Sequence, residues 1–331
     1  MKRTELGFKG LILTVYVTLW VSYSLLIRGS LDEDHNYPFN PLALIVVTEV
    51  VKAGLSTLFL AYQHGSLRAT LASVGESWRE ARYFAIPAAI YAAYNSLSYI
   101  NLRVFTPVEF KVLINLRVLL TGVTLHFCVS RRLSRRKWLA LLFLFAGCVL
   151  NQLDEDFGLS TLPLHLPLMW LQAALSSLGG IYNEMLLKRN LAVPMSVKNI
   201  YLYLFSIVFN GLWIALAEPL AVSSAASFFR GFDAYVAVCI VVGSCCGLFT
   251  SLLLRYLDVI LKEYAHSAEI FATGFISWAF FGLPIHWNML VSLFVVTISV
   301  FIYNTAQDPQ QLQQQPIEAS TLPSHSKHDK E

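Results

Sequence analysis

Thr106–Val129 reads TPVEFKVLINLRVLLTGVTLHFCV, an otherwise apolar run that carries Glu109, Lys111 and Arg117 inside it. A run of this length crosses the ~30 Å hydrocarbon core of a bilayer as a helix. A guanidinium placed within it is costly unless it meets a partner or water. Arg117 lies eleven residues past Thr106, so at ~1.5 Å per residue it sits roughly 16 Å along the helix, near mid-depth. Phe110, Leu113 and Arg117 follow an i, i+3, i+7 spacing and share one helix face. That face belongs inside a bundle, lining a place where negative charge can arrive.

Composition agrees with a membrane setting. Of 331 residues 56% are hydrophobic and only 14% charged, and the mean hydropathy is +0.57. Soluble domains run nearer a quarter charged, so the totals describe a polytopic, all-α integral membrane protein. A formal charge of +3 gives no argument for nucleic acid. The five cysteines (Cys128, Cys148, Cys239, Cys245, Cys246) fall inside apolar runs without the paired spacing of a zinc site or disulfide framework, and read as small core residues. His-Glu-x-x-His, a Gly-rich phosphate loop and a nucleophile elbow are all absent from the sequence, so neither an enzyme nor a metal or cofactor site is expected.

Ten apolar segments can be drawn: Phe8–Ile27, Pro41–Tyr62, Tyr83–Leu102, Thr106–Val129, Trp138–Leu153, Pro167–Leu187, Val197–Ala217, Ala234–Leu257, Glu263–Leu283 and Ile285–Tyr303. The first is too long for a signal-peptide core and lacks a small-residue cleavage site. Basic residues cluster before the first segment (Lys2, Arg3, Lys9) and in alternate loops, such as Arg131, Arg132, Arg135, Arg136 and Lys137. Intervening loops carry Asp32-Glu33-Asp34 and Asp154-Glu155-Asp156. By the positive-inside rule this alternation gives ten transmembrane helices with both termini cytosolic. Residues 63–82 are polar enough for a short interfacial helix, and 304–331 form a polar tail expected to be disordered in the cytosol. The ten-helix body is 1–303.

An internal echo divides that body. Leu102-Arg103-Val104-Phe105-Thr106 enters the fourth span and Leu254-Arg255-Tyr256-Leu257-Asp258 the ninth, 152 residues later. Trp-x-x-Leu opens both the fifth span (Trp138, Leu141) and the tenth (Trp287, Leu290). Two five-span halves, about 1–153 and 167–303, have opposite orientations because five is odd. Such a 5+5 inverted repeat is a transporter architecture with its site near the midplane.

Polar residues recur on single faces of several spans: Glu49, Lys52 and Ser56; Tyr91, Asn95 and Ser98; Asn199, Tyr203, Ser206 and Asn210; Lys262, His266, Glu269 and Thr273. Serine, threonine and asparagine alone would read as links between helices. Stripes that include ionisable groups point instead to a hydrated central cavity. Arg117 and Lys262 offer fork-shaped and point-charge donors for phosphate oxygens. Tyr203, with Tyr91 and Phe110, offers an aromatic surface for a base or sugar ring. Glu49 with Lys52, three apart, and Glu184 with Lys188, four apart, are spaced to neutralise each other. His266, one turn from Lys262, is a proton carrier or a simple hydrogen-bond partner. Gly243-x-x-x-Gly247 and Gly179-Gly180 read as close helix packing.

Taken in order, Thr48-Glu-Val-Val-Lys52, Tyr91-Ala-Ala-Tyr-Asn95, Asn115-Leu-Arg117, Tyr182-Asn-Glu184 with Lys188, Lys198-Asn199 to Tyr203, and Asp258-Val-Ile-Leu-Lys262 resemble the nucleotide-sugar transporters. The likeness runs from about residue 11 to 304. It is to the subfamily of CMP-sialic acid, UDP-galactose and UDP-N-acetylglucosamine transporters, nearest a UDP-sugar branch. The resemblance implies the drug/metabolite transporter fold in Golgi or ER membranes, exchanging a cytosolic nucleotide sugar for lumenal nucleoside monophosphate. It implies nucleotide contacts at Asn95 and Tyr203, and phosphate near Lys262. Arg117 stands where the family has lysine, Phe110 where it has tyrosine, Phe205 where it has serine. Ser96 replaces the second asparagine of a pair, and Glu269 stands at an alanine position.

In the 152-residue register Arg117 maps onto Glu269, so the two are expected to pair in the empty protein. Two other readings stay open on the residues alone: a proton-coupled metabolite exporter using His266 and Glu269, and a non-transporting membrane scaffold. The sequence leaves open which sugar is carried and whether the chain forms a homodimer.

Overall fold

The computed structural model describes residues 2–31, 37–101, 104–105, 107–127, 129, 133–153, 162–282 and 285–306. The acidic loops at 32–34 and 154–156, Arg131 and Arg132, the Leu102, Arg103 and Thr106 part of the echo, Cys128, Leu283 and the tail from 307 lie outside the described residues.

Among the described residues the regular structure is entirely helical. In order it comprises α1 (Lys2–Gly29), α2 (Pro41–His64), the short α3 (Leu67–Glu76) and α4 (Trp78–Ala81), a 3-10 turn at Arg82–Phe84, then α5 (Ala85–Asn101), α6 (Pro107–Ile114) and α7 (Arg117–Phe127). There follow α8 (Arg135–Leu150), α9 (Leu162–Lys188), α10 (Met195–Ala217), the short α11 (Ala225–Phe228), α12 (Ala234–Tyr256), α13 (Val259–Phe281) and α14 (Trp287–Thr305). Local chemistry sets the ends. Asn40 caps α2 through Leu42 N–H at 2.8 Å with Pro41 in the first turn, and Gly65 at φ 66° stops it. Asp233 and Asp258 cap α12 and α13 in the same way. The polar stretch after α2 becomes α3 and α4.

Each apolar segment of the sequence falls on a helix, the fourth on two. Among the described residues six stretches are long and apolar enough to cross a membrane: Gly7–Gly29, Pro41–His64, Glu109–Phe127, Met195–Ala217, Ala234–Tyr256 and Trp287–Thr305. The remaining four fall short for visible reasons. α5 and α8 have 17 and 16 residues, below the ~20 that span unaided. α9 and α13 carry buried polar groups such as Gln172, Asn183, Glu184, Glu263 and Glu269.

α10 explains how such polarity is housed. Leu204, Val208, Leu212 and Leu216 are exposed, whereas Asn199, Tyr203, Ser206 and Asn210 are buried. That is a soluble amphipathic helix turned inside out, as a lipid solvent requires. Packing follows a ring. α1 lies on α12, α12 on α2, α2 on α10, α10 on α5, α5 on α9, α9 on α7, α7 on α13, and α13 returns to α1. α8 and α14 pack on each other outside this ring, touching it at α7 and α13. At their crossing, Gly147 leaves so little room that a Cβ there would lie 2.5 Å from Val296 Cγ2.

The span that opened the sequence reading is broken, not continuous. The Asn115 side-chain amide donates to the Lys111 carbonyl at 2.9 Å. With that acceptor engaged, Asn115 N–H reaches Val112 O (3.3 Å) and Leu116 N–H reaches Leu113 O (3.1 Å), both three residues back. A helix tightened in this way breaks its register. Arg117 is the first residue after the break.

Candidate functional site

Arg117 enters the ring from the start of α7 and meets Glu263 of α13, Nε to Oε2, at 3.1 Å. The other carboxylate oxygen, Oε1, faces Lys262 Nζ at 3.3 Å. One carboxylate therefore serves two cations. The Arg117 contact is an ion pair by distance without hydrogen-bond alignment, since neither Nε nor Oε2 has a hydrogen-bond partner among the described residues. Glu263 keeps 2% of its side-chain surface, against 14% for Arg117 and 16% for Lys262. Tyr16 of α1, also buried, lies within electrostatic reach of Glu263, Arg117 and Glu269.

This arrangement corrects the expected Arg117–Glu269 pair. Glu269 is committed elsewhere: Ser24 of α1 donates to Oε1 at 2.6 Å, and His266 Nδ1 lies 2.9 Å from Oε2. Glu269 and Arg117 remain within electrostatic reach of each other. Glu263, six residues earlier on α13, takes the place the 152-residue register had assigned to Glu269. The signal that could have found it was its position beside Lys262 in a helix that must bury a counter-ion.

The aromatic side of the site is assembled from α2, α5 and α10. Lys52 bonds Glu49 at i, i+3 and projects its ammonium over the Tyr203 ring, 4.7 Å from the centroid. Tyr203 is buried, with its hydroxyl 3.5 Å from Ser251 of α12. Tyr91 lies within electrostatic reach of both Tyr203 and Glu49 and faces the Asn183 side chain of α9. Asn95 donates to Asn210 Oδ1 at 3.1 Å, and Asn210 in turn donates to the Ser206 carbonyl at 2.8 Å.

Two glycine pairs accommodate these side chains. A Cβ at Gly179 would lie 2.9 Å from Tyr91 Cε1, and one at Gly180 would lie 3.2 Å from Lys262 Nζ. Consecutive residues of α9 thus carry the aromatic wall on one side and the cationic corner on the other. Likewise Gly243 receives the Tyr23 ring and Gly247 the Lys52 methylenes. What reads in sequence as plain helix packing makes room for side chains of the site.

Other expected residues lie apart. Phe110 packs with Phe105, Ile114, Met169 and Ala173 in an apolar cluster separate from Tyr203 and Tyr91. Asn199 is buried, its Oδ1 without a hydrogen-bond partner among the described residues. Glu184 and Lys188 bond each other at 2.6 Å and bolt α9 to the turn before α13: Glu184 accepts from Val259 N–H at 2.8 Å, and Lys188 donates to the Leu257 carbonyl. Lys198 donates to the carbonyls of Leu186, Leu187, Arg189 and Asn190, a cation at the C-terminal end of α9 where the helix dipole favours one. Charge at the centre is condensed rather than spread round an open chamber. A cavity of about 500 Å³ opens one turn beyond Gly180, lined by Tyr182, Glu184, Met185, Leu186, Lys188 and Arg189.

Comparison with known proteins places this geometry. The profile of the nucleotide-sugar transporters matches residues 4–304. A UDP-galactose transporter of Drosophila melanogaster is 27% identical, over 91% of this chain and 86% of its own. A protein of Xenopus tropicalis described as a probable UDP-sugar transporter is 31% identical, over 91% and 94%. A CMP-sialic acid transporter of Oryza sativa subsp. japonica is 28% identical, over 81% and 69%. A solved crystal structure superimposes with a TM-score of 0.67 at 15% identity, covering 89% of this chain and 96% of the other, a likeness of fold. The relatives are transporters. An all-helical, multi-pass membrane protein with paired cations and tyrosines inside its helix ring, the chain belongs to the nucleotide-sugar transporter family.

Proposed function

We propose that the protein exchanges a cytosolic nucleotide sugar, a UDP-sugar, for lumenal nucleoside monophosphate by alternating access in the Golgi membrane. The observation that carries this reading is the convergence of Arg117 and Lys262 on one carboxylate within the helix ring. Fork-shaped and point-charge donors at one spot suit phosphate oxygens. Tyr91 and Tyr203 supply flat surface for a base on the far side of the Gly179-Gly180 step. The Drosophila and Xenopus relatives, named for UDP-galactose and a UDP-sugar, favour uridine, and the CMP-sialic acid transporters of Oryza sativa make cytidine the alternative that the test below separates.

The packing order supports a five-plus-five repeat. Count the ten long segments in order, with α6 and α7 as the fourth. Exchanging each with the one five places on then maps the contact of α1 on α12 onto α9 on α5, and that of α2 on α12 onto α10 on α5. It leaves α2 on α10, α7 on α13, and α8 on α14 as contacts between mates. Ten spans then put both termini in the cytosol, in keeping with the basic loops. The halves would rock about the Arg117–Glu263 corner.

Counterflow tests the proposal. Proteoliposomes holding the full chain and loaded with UMP, CMP or GMP are offered labelled nucleotide sugars. Stimulated uptake of a UDP-sugar by trans UMP is expected, and uptake indifferent to every trans nucleotide would contradict exchange. A second reading, proton-coupled export, draws on the Ser24–Glu269–His266 chain. Uptake driven by a pH gradient with no trans nucleotide would favour it.

A further inference from the structure

Arg117 and Lys262 do not stand as uncompensated cations. Glu263 lies against both, and Glu269 adds a second carboxylate within electrostatic reach of Arg117. Two cations thus face two carboxylates. Glu49 with Lys52 and Glu184 with Lys188 are balanced within themselves. The balance has a consequence for a carrier. Swinging its site between faces takes it through an occluded state from which water is excluded, and an unpaired charge there is strongly disfavoured. A cationic site without an internal anion could cross only with a ligand bound. This site has one.

We propose that Glu263 is a built-in stand-in for the substrate phosphate, holding Arg117 and Lys262 while the site is empty and yielding them when a phosphate arrives. The inference rests on the carrier reading above. Three features single out Glu263 over Glu269. It divides its two oxygens between the two cations, whereas both oxygens of Glu269 are held by Ser24 and His266. Its contact with Arg117 is not aligned as a hydrogen bond, so a phosphate oxygen that is better aligned can replace it. And it is the more enclosed of the two carboxylates, with 2% of its side-chain surface exposed against 7% for Glu269.

Two effects follow from this role. The empty carrier returns without cargo, so exchange is faster than net uptake but is not a condition of it. An incoming phosphate also competes with the carboxylate, so affinity is lower than the cations alone would give.

Glu263→Gln tests both, with Glu263→Asp as the charge-retaining control. In proteoliposomes, net uptake into nucleotide-free vesicles relative to counterflow should fall about tenfold or more in the Gln variant and stay near wild type in the Asp variant. Separately, binding of UMP and of inorganic phosphate by thermal shift should tighten about tenfold in the Gln variant. An unchanged ratio of net uptake to exchange, or unchanged anion affinity in a folded Gln variant, overturns the proposal. If the Gln variant does not fold, the Asp variant decides. A shortened carboxylate that still balances charge keeps the uptake ratio, and a lost ratio in that variant also overturns it. Wild-type protein that exchanges no nucleotide would instead remove the carrier reading, leaving Glu263 to stand or fall on the anion-binding shift.

Discussion

Tyr203 receives the Lys52 ammonium on its ring, while its hydroxyl makes only a 3.5 Å contact with Ser251. The face of the ring therefore matters more than the oxygen. Tyr203→Phe should leave UMP affinity within about threefold of wild type, and Tyr203→Leu should weaken it about tenfold or more, measured by equilibrium binding. Equal losses in both would assign the work to the hydroxyl. At this scale the sequence was informative about which residues are polar and buried, since period and composition reveal a face. Asn199, Tyr203 and Asn210 needed nothing more. It was silent on partners, because a contact between α7 and α13 depends on helix rotations that spacing does not encode. Arg117 thus met Glu263 and not Glu269, and Phe110 fell on the α9 side among Met169 and Ala173.

Among the elements, the α6–α7 break is the one most tied to the site. Asn115→Ala frees the Lys111 carbonyl for ordinary i to i−4 bonding, which favours a continuous helix and turns Arg117 away from Glu263. Counterflow should fall about tenfold at near-normal expression, with slower amide exchange across 115–118 as the helix closes. Faster exchange there would mean that the turn is held by something else. Lys198 gives a contrasting prediction, of stability alone. Lys198→Met removes the ammonium that the carbonyls at the end of α9 share and should cost about 2–3 kcal/mol, read as a lower melting temperature. Most of the helices were legible as apolar runs. The break was not, because Asn115 in an apolar segment looks like any other polar link until its amide is seen on Lys111 O.

For the molecule as a whole, inside-out amphipathicity and a closed ring explain why a chain with so few charges keeps several of them buried. Lipid faces the leucines and phenylalanines, and the ring interior holds Lys52 against Glu49 and both Arg117 and Lys262 against Glu263. The membrane class could be read from composition. The ring order could not, since neighbours such as α1 and α12 are far apart in sequence. The central claim is that Arg117 and Lys262 together form the phosphate subsite of a nucleotide-sugar carrier. It is tested most directly by equilibrium binding of UMP and CMP to purified protein carrying Arg117→Gln or Lys262→Gln, each confirmed as monodisperse. The account predicts that each variant loses about tenfold or more in nucleotide affinity, and that the wild-type affinity falls with added salt. Nucleotide bound as tightly by both variants as by the wild type would contradict it.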